Sequence, residues 1–78
     1  MEYLDYDRQK FGKAVRDFRG ETPAPLFAAK VNTTAAILSR VERGKMVDAP
    51  VIRKLCKLMN VSLDAFPSGR AGEERGQQ

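Results

Sequence analysis

The feature that most constrains this chain is a corner. At Val31-Asn32-Thr33-Thr34, two short segments of helical spacing meet with almost no linker between them. Before the corner, Thr22 suits an N-cap and Pro23 suits the first helical position, where its missing N–H costs nothing. Pro25 still lies in the first turn, and Leu26-Phe27-Ala28-Ala29-Lys30 completes about two turns. Asn32 accepts left-handed backbone better than most residues, so it can make the corner itself. Beyond it, Thr33 or Thr34 caps a segment from Ala35 to Arg43, in which Leu38 and Val41 share a face. Gly44 stops that segment.

The rest of the chain reads as helix too. No stretch alternates cleanly, and no hairpin dipeptide such as Asn-Gly occurs. Phe11, Val15 and Phe18 share a face of a segment from about Asp7 to Arg19, capped by Asp5 or Asp7 and ended by Gly20. A fourth segment opens at Asp48 with Pro50 in its first turn. Ile52, Leu55 and Met59 line one side of it, with Cys56 and Leu58 beside them, and Asn60 ends it. Ser62 suits the cap of a short fifth helix, Leu63-Asp64-Ala65-Phe66, closed by Pro67. The domain is expected over 8–67, after an arm over 1–7 in which Tyr3, Leu4 and Tyr6 either extend or cover the core edge. Residues 68–78 contain no large apolar side chain to offset ordering entropy, and disorder is expected there.

Composition excludes more than it selects. Seventy-eight residues make one small domain, with little room for a deep catalytic cleft beside a core. There is no histidine, so the commonest general base is missing and zinc is disfavoured. The single cysteine, Cys56, rules out an internal disulfide and fits a reducing cytoplasm. Flanked by Ile52, Leu55 and Met59, it reads as packing. No acid–base pair, nucleophile system or metal set can be assembled, so no enzyme, cofactor or metal is expected. No apolar run approaches the ~20 residues of a membrane helix, and the acidic start does not read as a signal peptide. The charge is uneven. Residues 1–7 hold three acids and no base, whereas 8–60 hold twelve bases against four acids. A basic compact region attracts polyanions, nucleic acid above all. Two short helices around a tight corner are a helix-turn-helix pattern, whose second helix enters a DNA major groove ~12 Å wide.

Four stretches, together spanning about residues 8–66, resemble the Cro/C1-type (XRE) helix-turn-helix regulators. Phe11-Gly12-Lys13-Ala14-Val15-Arg16-Asp17-Phe18-Arg19 is similar to the first helix of that family. Ala28-Ala29-Lys30-Val31-Asn32-Thr33-Thr34 is similar to its turn. Leu38-Ser39-Arg40-Val41-Glu42-Arg43-Gly44-Lys45 is similar to the end of its recognition helix. Leu55 to Asp64 is similar to its last two helices. Three departures stand out. Asn32 replaces the usual turn glycine. Pro23-Ala24-Pro25 lacks the usual backbone-contacting glutamine. Cys56 replaces a small alanine.

The resemblance implies an all-α, five-helix lambda-repressor-like domain, of the stand-alone phage-repressor or controller-protein kind. It implies a homodimer on a palindromic operator. Base edges would face Ala35, Ala36, Ser39 and Arg40, with Ile37 at the margin. Arg40 is the best guanine reader, and the alanines permit close approach or pack on thymine methyls. Thr34, Arg43, Lys45 and Lys30 would meet phosphates, giving affinity rather than sequence choice. Arg19 and Glu42 would form a structural ion pair between helices one and three. Val61, Leu63 and Phe66 would form the dimer contact. The rival reading is a protein-interaction module on the same fold, such as an antiactivator, with little specific DNA binding.

Overall fold

The computed structural model describes residues 4–68. Tyr3 and residues 69–78 of the expected tail lie outside them. The described residues form four α-helices and one turn of 3-10 helix, with no strand.

Helix α1, Arg8–Arg19, is capped by the Asp7 carboxylate, which accepts from the Lys10 N–H at 3.1 Å. It ends at Gly20, whose φ of 56° few other residues adopt readily. Phe11 and Val15 are fully buried. Phe18 shares their face but is 51% exposed, because it lies outside the core, with its ring edge-on to Phe27 at 6.0 Å between centroids.

Helix α2, Ala24–Lys30, begins one residue later than the sequence suggests. Pro23, not Thr22, takes the cap position, with extended backbone at ψ 142° and no side-chain bond. The Thr22 carbonyl accepts instead from the Arg19 guanidinium at 3.0 Å. Pro23 and Pro25 have no N–H to satisfy, which removes two of the free donors a helix start normally presents.

The corner forms at Asn32, with φ 55°. Thr34 then caps α3, Ala35–Glu42, its hydroxyl accepting from the Ile37 N–H at 3.2 Å. Gly44 turns the chain away at φ 78°. Helix α4, Ala49–Met59, starts after Asp48, whose carboxylate makes no capping bond, and ends at left-handed Asn60. The fifth segment is shorter than expected: Leu63–Ala65 makes one 3-10 turn, capped by Ser62. Phe66 leaves the helical region because Pro67 follows it, and a residue before proline is pushed towards extended backbone.

Helix α3 packs on both α1 and α2, and α4 packs on α1. Phe11, Val15, Phe27, Val31, Leu38, Val41, Ile52 and Leu55 form one core. Burying each such side chain stabilises the fold by roughly 1.5–3 kcal/mol. Gly12 permits the closest approach: an added Cβ would overlap the Val41 carbonyl oxygen and lie 2.9 Å from that of Glu42. The two ends of the described chain meet at the start of α1. The Asp7 N–H donates to the Phe66 carbonyl at 2.8 Å. The rings of Tyr6 and Phe66 each stand edge-on to Phe11, at 5.4 and 5.3 Å. Leu4 and Tyr6 therefore cover the core edge. Burial pushes the Tyr6 phenol above its ordinary pKa.

Candidate nucleic-acid interface

Helix α3 has a sharp division. Leu38 and Val41 are buried and Ile37 is half-buried against the core. Ala36, Ser39, Arg40 and Arg43 are exposed. Their spacing of three, four and seven residues makes one solvent stripe opposite the buried side. Ala35 is half-buried at its border and Thr34 is exposed at its start. The Thr34 hydroxyl keeps its own hydrogen free while it caps the helix, so one group can bond Ile37 and a phosphate together.

The only carboxylate of α3 is turned away from this stripe and neutralised. Glu42 takes a forked contact from Arg19, with Nε to Oε2 at 2.7 Å and Nη2 to Oε1 at 3.0 Å. The Glu42 side chain is 12% exposed. Hydrogen bonding to Glu42 raises the Arg19 pKa above its ordinary value, so the guanidinium is charged at any working pH. The pair ties α1 to α3 and leaves the outer face of α3 purely basic.

The loop after α3 is fixed from both sides. The Lys45 N–H donates to the Arg40 carbonyl at 2.9 Å, and the Gly44 N–H to that of Val41 at 3.0 Å. From α1, Arg8 Nε donates to the Gly44 carbonyl at 3.1 Å. A Cβ on Gly44 would lie 3.0 Å from Gln9 Cγ. These bonds hold Arg43 at the end of the stripe and exposed Lys45 beside it. The Arg40 guanidinium is folded back, with Nη2 donating to the Met46 carbonyl at 3.3 Å.

Other expected residues lie elsewhere. Lys30, at the end of α2, stands with Lys54 and Lys57 rather than with the α3 cations. Leu63 and Phe66 are partly buried against the core of their own chain, and Val61 is half-buried outside it. Cys56 is half-buried, and burial pushes its thiol above the ordinary pKa, which suits packing rather than reactivity. Sequence reasoning missed Arg8 and Gln9 as supports of the loop. Their partners lie 35 or more positions along the chain, and no local pattern signals such a contact. Among the described residues no group of acids and cysteines can hold a metal, and no helix is long and apolar enough to cross a membrane.

The chain matches the helix-turn-helix family over residues 26–66, more than half its length. It belongs to that family, in the Cro/C1-type (XRE) group, which is a DNA-binding one. The match runs from α2 through the 3-10 turn and leaves out α1 and the Pro23-Ala24-Pro25 stretch. No curated protein and no solved structure matches the chain.

Proposed function

We propose that this protein is a cytoplasmic transcriptional regulator that reads a palindromic operator as a homodimer, with α3 in the major groove. The observation that carries this reading is the α3 stripe: Ala36, Ser39, Arg40 and Arg43 exposed together, next to Lys45, with Glu42 withdrawn into its pair with Arg19. In this reading Arg40 exchanges the Met46 carbonyl for a guanine edge, and Ser39 bonds a base or a phosphate. Ala35 and Ala36 let the helix approach closely. Thr34, Arg43 and Lys45 meet phosphates on either side, and Lys30 contributes at long range. The dimer forms through Val61 and Leu63, with Phe66 shared between the core and the contact. Two recognition helices would then sit about one DNA turn apart, ~34 Å.

A binding titration with the DNA upstream of its own coding sequence, at two salt concentrations, tests the reading. Specific binding with a steep salt slope is expected. Equal binding to unrelated duplex at matched salt would overturn it. One observation favours the protein-interaction reading instead. Pro23 and Pro25 strip the α2 start of two N–H donors that a phosphate contact would use, and Leu26 beside them is 62% exposed. An antiactivator would show neither a specific shift nor a steep slope.

A further inference from the structure

A second basic surface lies apart from the α3 stripe. The end of α2, the corner and the outer side of α4 enclose an open groove of about 400 Å³. It is lined by Lys30, Val31, Asn32, Lys54, Lys57 and Leu58, and by no residue of α3 or of the loop after it. Lys54, Lys57 and Leu58 follow the spacing of three and four that shares one helix side, the side turned away from Ile52 and Leu55. All three lysines are exposed, and no carboxylate among the described residues forms an ion pair with them. Neither α2 nor α4 contains an acid. Between the lysines the floor is apolar, built from buried Val31 and from Leu58, which is 37% exposed.

The chemistry of the groove selects its occupant. A bare phosphate would satisfy the ammonium groups and leave the apolar floor wet. An uncharged apolar segment would cover the floor and strip water from three cations without compensation. A short acidic segment with one or two large apolar side chains does both: carboxylates face the lysines and the apolar anchor covers Leu58. Complementary charge steers such a partner in and fixes its register.

We propose that this groove docks an acidic, apolar-anchored segment of a partner protein. The α3 stripe stays free, and the two surfaces share only Lys30, whose part in DNA binding is long-range, so one molecule can hold DNA and the partner together. The test uses the full chain and a labelled synthetic peptide, Asp-Glu-Leu-Phe-Glu-Asp, with a control in which Leu-Phe becomes Ser-Ser. The first peptide should bind saturably and more weakly at higher salt, moving the amide signals of Val31, Asn32, Lys54, Lys57 and Leu58. Lys54→Gln with Lys57→Gln should weaken it about tenfold. Leu58→Ser should weaken it in a chain that still melts cooperatively, because the side chain is 37% exposed and stands outside the core. Four results would overturn the proposal: no saturable binding, equal binding of the Ser-Ser control, signals that move only at Arg40, Arg43 and Lys45, or a short duplex or second copy that moves the Lys54, Lys57 and Leu58 signals instead.

Discussion

Gly12→Ala sets two effects of opposite sign against each other. Gly12 lies inside α1, where helix propensity alone favours alanine by roughly 1 kcal/mol. Packing opposes it. The new Cβ would overlap the Val41 carbonyl oxygen and stand 2.9 Å from the Glu42 oxygen and 3.1 Å from the Glu42 carbonyl carbon. All three are backbone atoms in the last turn of α3, and the Val41 carbonyl already accepts from the Gly44 N–H, so none can swing aside as the end of a flexible side chain would. Helices α1 and α3 must separate instead. Overpacking costs about 1–3 kcal/mol, and a contact that moves backbone belongs at the upper end. The net loss is then about 2 kcal/mol, a large share of the roughly 4–12 kcal/mol available to a domain this size. At 4–8 °C per kcal/mol, the melting temperature should fall by about 10 °C in a far-ultraviolet circular dichroism melt. Gly20→Ala is the comparison, since its φ of 56° is strained but its nearest neighbour is 4.0 Å away. With ψ at −126° it lies outside the left-handed helical well, so its loss, roughly 1–3 kcal/mol, comes from backbone strain alone and involves no separation of helices. A melting temperature for Gly12→Ala equal to or above that of the parent would refute the close-approach argument.

Three further outcomes follow from the geometry. Arg43→Gln should weaken binding to all duplexes alike and lower the salt slope by about one, whereas Arg40→Gln should weaken operator binding more than non-specific binding, in the same titration. Glu42→Ala should lower the melting temperature more than Glu42→Gln, which keeps a partial acceptor for Arg19; equal melts for both variants and the parent would show the pair to be idle. Tyr6 and Cys56 both have raised pKa values in the folded state, from ordinary values of 10.0 and 9.0, chiefly through burial. The unfolded chain loses those protons first, so their contribution is intact below pH 9 and declines as pH rises through the folded values. Tyr6→Phe combined with Cys56→Ala should flatten the alkaline limb of a pH–stability curve, and an unchanged limb would refute this account.

The helix pattern was legible because it rests on local chemistry. Asn32, Gly44, Asn60 and the Thr34 cap each act within four residues, and the structure uses each as its side chain suggests. Local reasoning failed where a distant partner decides. Thr22 is a good cap in isolation, but Arg19 takes its carbonyl and the chain enters α2 through Pro23. Phe18 has the right phase for the core, yet phase does not say where the core ends. Leu63 and Phe66 looked uncovered because the sequence does not show that the start of α1 lies under them. Of the candidate interface, spacing gave the buried Leu38 and Val41 side of α3, and the family resemblance named Ala36, Ser39, Arg40 and Arg43 on the exposed one. The bond from Arg8 that holds the next loop was legible in neither.

The resting contact of Arg40 bears on how selective the protein can be. A guanidinium with no alternative acceptor is left stranded by a wrong base, and that stranding is a large part of what a mismatch costs. Here the Met46 carbonyl is within reach at 3.3 Å, so at a mismatched site the side chain can retreat to a satisfied state. If α3 reads an operator as proposed, tolerance at that base pair is the consequence: a set of related sites rather than a single one, with the choice between them settled by the remaining contacts.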